Sequence, residues 1–589
     1  MIVYSLFLGL LAVYIVGYVR RLVMYTRRIR PLKLPYVVAL FSEDDLPVII
    51  LYGSRSVRYA IKHWLPGWLS DRLNEAKSVT RWSVKDRMAK RLGGVFFRVT
   101  PKGPVFNVSD ASVASQIFAN RGEFPKPTQQ YELLTLYGPN IVTVEGKEWQ
   151  HHRRHTATTF NEKNNALVWK EAIHQTTQMI EHWQETSPNA TERDFLVERT
   201  REDGLKLTLN ILSRAGFGVP IPFKPVQQGR DSDPEDIFKD SSTPPAGFDY
   251  TFSAAIAYVS IKIITVILAY KMIPQRLPRQ LVPSFVREKL AAYRDLDAYL
   301  HKLVVKSKSG VQHADENAGN LVHGMLLSQM RGDQEVADKC LTDHEIMGNM
   351  FIFAIAGHET TATTFRYALL LLALHQDVQD WLYEGVVEAT HDEAGEVSDW
   401  DYERLFPKLI TPLCVMLETL RLYPPVITIP KWTGYSPSTF TYRGQDYILP
   451  PKTNININTN VLHLSEEYWG PDAKHFHPQR WDASNKDSFL AQNADTPGLV
   501  AAGLEFPTIH RPVRGAYAPF SDGVRACLGK KFGQVEFVAA LAVIVKQFRV
   551  ELAEDSVEFR KNAERVLEGG ISVLTLGMEE NVPLRFWRR

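Results

Sequence analysis

One segment restricts the fold of this 589-residue chain more than any other. AYAPFSDGVRACLGKKFGQVEFVAALAVIVKQF is a proline-containing loop that passes through Cys527 and runs into a long apolar helix, predicted to begin near Leu528. A thiol at a helix start lies in the positive end of the helix dipole, and Arg525, Lys530 and Lys531 add charge of the same sign, so thiolate is favoured over thiol. Gly523 and Gly529 remove side chains on either side, which lets the backbone approach something flat and bulky. A buried structural cysteine in a glycine-rich turn is the competing reading of the same residues.

At 589 residues the chain exceeds the usual size of a single core, so several domains or one large enzyme fold is expected. Its hydrophobic content of 45% and charged content of 23% are ordinary for a packed globular protein, and a net charge of +2 predicts no polyanion partner; no nucleic acid is expected. Cys340, Cys414 and Cys527 are too few and too scattered for a disulfide framework, which suits a reducing compartment such as the cytosol.

The N-terminal MIVYSLFLGLLAVYIVGYV carries no charge through Val19 and is about as long as a helix needs to cross a hydrocarbon core of roughly 30 Å. Arg20, Arg21, Arg27, Arg28 and Arg30 follow it, a distribution that holds the rest of the chain on the cytosolic side. A cleaved signal peptide would carry its basic residues before the apolar run, so residues 1–19 read as a retained transmembrane signal anchor, residues 20–35 as a basic, proline-containing linker, and residues 36–589 as the globular domain. The expected location is the endoplasmic reticulum membrane, with a single-pass anchor and a cytosolic catalytic domain. A second apolar stretch, Phe252 to Tyr270, is interrupted by Lys262, whose cost of about 2.5 to 3.5 kcal/mol in mid-membrane nearly offsets the apolar gain. It reads better as a helix at a lipid surface or over a hydrophobic pocket. The preceding PVQQGRDSDPEDIFKDSSTPPAG reads as a surface loop.

Elsewhere, apolar residues recur at three- and four-residue intervals, as in AIHQTTQMIEHW, EDGLKLTLNILSRAGF and PSFVREKLAAYRDLDAYLHKLVVK, which predicts helices. Strand signals are fewer: GVFFRV with PVFNV, TFTYRGQDYIL, and ISVLTL with VPLRFW read as hairpins. With no internal repeat, the prediction is one mainly α domain with a small β region.

Phe520, Gly523, Arg525, Cys527 and Gly529 reproduce the spacing F-x-x-G-x-R-x-C-x-G, which resembles the haem-binding loop of cytochrome P450 monooxygenases. Independent stretches carry the same resemblance in the same order. FIFAIAGHETTATTF is similar to the family's A-G-x-[DE]-T-T segment through Ala356, Gly357, Glu359, Thr360 and Thr361, where small residues would leave room for a flat cofactor and for dioxygen, and Thr360 can bond back to a carbonyl and loosen the helix. Glu418 and Arg421 in MLETLRLYPPV form an E-x-x-R pair on one helical face, joined in the family by the arginine of a P-x-R-[FW] element, here Pro478, Arg480 and Trp481. Trp149 and Arg153 resemble the family's W-x-x-x-R. His151, His152 and His155 beside them have no partners in any zinc pattern and read as a helix face.

The resemblance implies the cytochrome P450 fold, haem b with Cys527 as its axial thiolate and sole metal ligand, and haem contacts from Trp149, Arg153, Arg525, Phe520 and Gly529. It implies proton delivery by Glu359 and Thr360. Lys431 stands where many relatives place an arginine that contacts a haem propionate, and lysine offers only a point charge there. The implied activity is monooxygenation of an apolar small molecule, in the style of fungal secondary metabolism. No segment resembles a fused flavin domain, so electrons are expected from NADPH through NADPH-cytochrome P450 reductase docking near Lys530, Lys531 and Arg154, with cytochrome b5 as a further candidate donor. Membrane lipid is the remaining expected partner. A haem-thiolate isomerase or dehydratase that uses no dioxygen, and a non-catalytic haem-binding partner protein, are the alternatives; Glu359 and Thr360 argue against the first. A crossing at 252–270 would separate Trp149 and Arg153 from Cys527 across a membrane, which a single haem site does not allow. The N-x-[ST] sequences at Asn107 and Asn189 are chance matches in a cytosolic domain.

Overall fold

A computed structural model describes the chain except for residues 1, 43–44, 46–53, 68–69, 71–80, 189, 225–236, 239–242, 275–281, 313–318, 331–339, 394, 483–508, 510–511 and 573. The elements used below are, in chain order, α1 (Ile2–Ile29), β1 (Tyr36–Val38), β2 (Val95–Thr100), β3 (Gly103–Val108), α2 (Ala111–Ala119), α3 (Gly146–Ala157), α4 (Glu162–Thr186), β4 (Asp194–Val197), α5 (Thr200–Phe217), α6 (Phe252–Ile261) and α7 (Ile263–Met272). There follow α8 (Ser284–Gln312), α9 (Leu321–Met330), α10 (Asp343–Leu374), α11 (Gln376–Ala389), α12 (Ile410–Leu422), β5 (Ile429–Trp432), β6 (Ser438–Tyr442), β7 (Gln445–Leu449) and β8 (Asn454–Ile457). The chain closes with α13 (Lys530–Gln547), β9 (Phe548–Leu552), α14 (Val557–Glu568), β10 (Ile571–Ser572), β11 (Leu576–Gly577) and β12 (Leu584–Arg588). They fall into two compact units: residues 1–127, 417–527 and 557–580, and residues 128–416, 528–556 and 581–589.

The first unit holds a five-stranded sheet in the order β1-β2-β3-β8-β5. GVFFRV and PVFNV form the predicted hairpin, β2 against β3, with Phe97 opposite Phe106 and every residue of both strands buried. Strands covered on both faces need apolar side chains on both, which is why these runs lack a simple alternation. Asn107 lies buried in β3, so its N-x-S sequence is out of reach of a glycosylating enzyme, while Asn189 is outside the described residues. TFTYRGQDYIL forms the predicted hairpin β6–β7, with Arg443 and Gly444 in left-handed conformations at its turn.

The helices dominate the second unit. α10 opens with a capping box: the Thr342 hydroxyl accepts the Glu345 N–H at 3.2 Å, and Glu345 accepts the Thr342 N–H at 2.7 Å. It runs for 32 residues and is buried on nearly every side, the pattern of a central core helix. α5 packs along it, and the Thr208 hydroxyl donates to the His358 carbonyl at 2.9 Å. α13, buried without interruption from Phe532 to Val545, packs against α4. A three-stranded sheet, β4-β12-β9, lies in the same unit.

Three expectations need correction. Among the described residues the terminal stretches ISVLTL and VPLRFW do not pair with each other: β10 pairs with β11, while β12 pairs with β4 and β9. Hairpin logic fails there because the closing strand finds two longer, apolar partners, among them Phe195 opposite Phe586. The helix after Cys527 begins at Lys530 rather than Leu528, because Gly523–Arg525 form a 3-10 turn and Ala526 has extended ψ at 153°. The stretch 252–270 is not one helix; α6 and α7 meet at Lys262 with a bend of 89°, and Ala255, Ile256, Val259, Val266 and Ile267 are buried. Each ten-residue half rises about 15 Å, half of what a hydrocarbon core requires.

Among the described residues no single helix is long and apolar enough to cross a membrane. The side chains of residues 1–8 and 11, on which the anchor expectation depends, lie outside the described residues, as does most of the predicted surface loop before Phe252.

Candidate functional site

The loop from Tyr517 to Cys527 is held by its own backbone. Ala518 accepts the Ser521 N–H at 3.1 Å, Phe520 accepts the Cys527 N–H at 2.9 Å, and Gly523 accepts the Ala526 N–H at 3.0 Å. Asp522 caps the short turn by accepting the Gly523 N–H at 2.6 Å. Gly523 has φ +68°, and a β-carbon built on it would lie 2.4 Å from the Phe118 carbonyl of α2, so only glycine permits both the left-handed turn and the contact. The path of this loop fixes Cys527 from the main chain, and the thiol it presents is exposed, whereas Cys414 is buried and Cys340 intermediate.

Behind the loop stands a buried ion-pair network on α12. Glu418 and Arg421 are both fully buried; Arg421 Nε donates to Glu418 Oε2 at 2.8 Å and Nη2 to Oε1 at 2.8 Å. The remaining Arg421 protons reach the carbonyls of His463 at 2.8 Å, His475 at 3.2 Å and Ala473. Glu418 further accepts from Arg480 Nε at 3.0 Å, Trp481 Nε1 at 2.9 Å and the His477 N–H at 3.0 Å. Burial by itself would raise the Glu418 pKa, but the charges and hydrogen bonds of Arg421 and Arg480 outweigh it and leave the carboxylate below its usual range. The E-x-x-R spacing and the distant P-x-R-W element are thus joined as expected. Sequence reasoning missed the link from this network to the cysteine loop: Tyr517 donates its hydroxyl to the Leu417 carbonyl at 2.9 Å, and His463 Nε2 accepts the Ala518 N–H at 2.9 Å.

In the second unit, α3 carries Trp149, buried, and Arg153, half-buried, with the guanidinium 5.8 Å from the indole centroid. His152 is fully buried, with Nδ1 2.9 Å from Asn349 Nδ2 and Nε2 3.2 Å from Glu345 Oε1, both on α10. That engagement, rather than a solvent face, explains the histidine; among the described residues no group of three or more His, Cys, Asp or Glu could hold a metal ion. On α10, Thr360 donates to the Ala356 carbonyl at 2.8 Å, Thr361 to Gly357 at 3.2 Å and Thr364 to Thr360 at 2.8 Å, so the predicted back-bonding runs through a whole turn. Ala356 is exposed, and Glu359 and Thr360 are half-exposed. A β-carbon on Gly357 would lie 3.2 Å from the Leu212 side chain, so the missing side chain also admits α5. Glu536 of α13 is buried beside the Thr361 hydroxyl, and burial holds its pKa well above the usual carboxylate value.

At the candidate docking residues, Lys531 forms an ion pair with Glu162 at 2.6 Å, which reduces the positive charge expected there. Lys431 is buried on β5, opposite Ile455 of β8. Gly529 would bring a β-carbon only to ordinary contact, 3.7 Å from Phe160.

These residues fit a haem held by one thiolate. The donor set is a single exposed thiol on a rigid loop three residues before a helix start, with no competing ligand cluster among the described residues. The comparisons agree. The family model for Cytochrome P450 matches residues 73–571. Cytochrome P450 monooxygenase 124 of Postia placenta is 32% identical over 83% of this chain and 84% of its own length. A monooxygenase of the phomenoic acid biosynthesis cluster of Leptosphaeria maculans is 23% identical over 95% and 94%. The crystal structure of the cytochrome P450 CYP102L1 covers 85% of this chain and 93% of its own, with TM-score 0.62 at 19% identity, a likeness of fold. The chain belongs to the cytochrome P450 family and is a monooxygenase of that family. Membership implies a haem-thiolate cofactor, a redox partner and a small-molecule substrate.

Proposed function

We propose that this protein inserts one oxygen atom into an apolar small molecule, with Cys527 as the axial ligand of haem b. The observation that carries the reading is the exposed Cys527 thiol, fixed by the Phe520 carbonyl and a φ-positive glycine. Haem, when bound, supplies the activation of dioxygen. The chain's own residues do the rest. Arg153 and Arg525 offer charge-assisted hydrogen bonds to propionates, and the Trp149 indole N–H offers another; Phe520 and Gly529 supply apolar and unobstructed surface beside the thiolate. The half-exposed Thr360 donates its hydroxyl proton to the Ala356 carbonyl, so its lone pairs can accept from a water, and the neighbouring Glu359 can pass it protons.

Electrons are assigned to NADPH through a cytochrome P450 reductase, with cytochrome b5 as a second donor. By the family resemblance, the loop from about Pro127 to Asn140, the Phe252 to Tyr270 region, the helix before Gly357, Val426 to Ile429 and the segment near Met578 are candidate substrate contacts; taken as a whole they are apolar, which suits a lipid, terpenoid or alkaloid. The relative in the phomenoic acid cluster supports a place in secondary metabolism.

Replacing Thr360 with alanine tests the oxygen chemistry. The variant should keep its haem and its carbon monoxide spectrum while reducing equivalents leave as hydrogen peroxide. One positioned proton donor is worth roughly 10²–10⁴-fold, and bulk water replaces part of that, so a smaller fall in product formed per NADPH consumed is expected. Unchanged coupling would place proton delivery elsewhere.

The membrane reading treats residues 1–19 as the anchor, residues 20–35 as a linker and residues 36–589 as the cytosolic catalytic domain at the endoplasmic reticulum. Its support is α1 itself, a 28-residue helix whose Leu10, Val13, Tyr14, Ile15, Val16 and Val19 are each more than half exposed, an arrangement costly in water and natural in lipid. Deleting residues 1–30 is expected to give a haem-loaded domain that carbonate washing strips from membranes. Equal retention of the truncated and full-length proteins would refute a single anchor.

A further inference from the structure

His463 is fully buried and engaged in two directions. Its carbonyl accepts from Arg421 at 2.8 Å, and its Nε2 accepts the Ala518 N–H at 2.9 Å. The ring lies 5.1 Å from that of Tyr517, which packs 4.7 Å from Trp481 and is tied to Leu417 by its hydroxyl. A backbone amide can only donate, so Nε2 must present its lone pair, and the ring proton resides on Nδ1. Burial, with the nearby Arg421 charge, pushes the imidazole pKa down to about 3, so the acceptor is not lost to protonation at neutral pH.

We propose that His463 is a positioning residue for the Cys527 thiol: it pins the start of the cysteine loop to the Glu418–Arg421–Arg480 network through the Ala518 amide. The chain of bonds is continuous. The Ala518 N–H is held by His463, the Ala518 carbonyl receives the Ser521 N–H, and one residue earlier than Ser521 the Phe520 carbonyl receives the Cys527 N–H. Freeing Ala518 therefore loosens the first turn of the loop that sets where the sulfur lies. The ring serves as a fixed acceptor, a role that glutamine can copy and leucine cannot.

The inference rests on Cys527 being the axial ligand, and the experiment separates the two. Full-length wild type, His463→Leu and His463→Gln are compared in two measurements: hydrogen exchange of the peptide 513–527, read by mass spectrometry, and the share of reduced carbon monoxide complex showing the thiolate-type Soret band. Losing one buried hydrogen bond corresponds to about 10-fold faster amide exchange, which is expected in the leucine variant together with a smaller thiolate-type share. The glutamine variant should restore both. Wild-type exchange and spectrum in the leucine variant would overturn the proposal, as would a glutamine variant as impaired as leucine, since shape rather than acceptance would then matter. If the leucine variant does not fold, the glutamine variant alone decides: exchange near wild type supports the proposal and exchange about 10-fold faster refutes it. Absence of a thiolate-type band in the wild type would remove the ligand reading, and hydrogen exchange would still judge the role of His463 in the loop.

Discussion

Cys527→Ser is expected to abolish the red-shifted Soret band of the reduced carbon monoxide complex, together with all monooxygenase activity, while the protein remains folded. The band depends on an anionic sulfur donor, and a serine hydroxyl neither ionises near neutral pH nor donates comparable electron density. The fold should persist because the loop is held by main-chain bonds, Phe520 to Cys527 and Gly523 to Ala526, that a side-chain change leaves in place. Serine is also close in volume and sits at an exposed position, where substitutions cost little. Circular dichroism should therefore match wild type. A thiolate-type band in the serine variant would eliminate Cys527 as ligand.

The second large effect is on stability. Arg421→Leu removes a guanidinium that satisfies both oxygens of Glu418 and three main-chain carbonyls, in a site with no solvent access to either partner. Breaking a buried pair by deleting one member typically costs about 3–5 kcal/mol, a large part of the roughly 5–15 kcal/mol by which domains are stable. Arg480 and Trp481 still reach Glu418, but Arg480 is already shared with Asp472 at 2.8 Å. Arg421→Lys should recover little, because a point charge cannot fork across both carboxylate oxygens.

The pH dependence supplies a second readout. In the wild type the Glu418 pKa is lowered, so its stabilisation is present above the unfolded value of 4.5 and is lost as pH falls through the folded one. Without Arg421 the burial contribution gains the upper hand and the folded pKa rises, so the variant loses stability as pH rises. The deficit between variant and wild type should thus shrink as pH is lowered toward 4.5 in denaturant titrations. A deficit below about 1 kcal/mol, the scale of a surface ion pair, would show that the network does not carry the loop.

Several parts of the site were legible in the chain because their chemistry is local. Five residues within ten positions specify the cysteine loop; Glu418 and Arg421 meet on one helix face by their spacing; Thr360 reaches Ala356 by the pitch of a helix. The β2–β3 and β6–β7 hairpins were legible for the same reason, since each closes through a short turn. The Phe252–Tyr270 run was half legible: Lys262 marked it as a poor span, but its composition did not announce the 89° bend there.

The sequence by itself determined the family, the place of Cys527 shortly before a helix and the adjacency of Glu359 and Thr360 on another, because motif spacing and helical pitch act over a few residues. Only the tertiary structure decided that Gly357 packs on Leu212, that Lys531 is occupied by Glu162, that β12 joins β4 and β9, and that His463 holds the Ala518 amide. Each of those pairs is brought together from separate parts of the chain, the last of them 55 residues apart. No local propensity encodes such a meeting; it follows from how whole helices and strands bury their apolar faces, and that choice belongs to the packed chain.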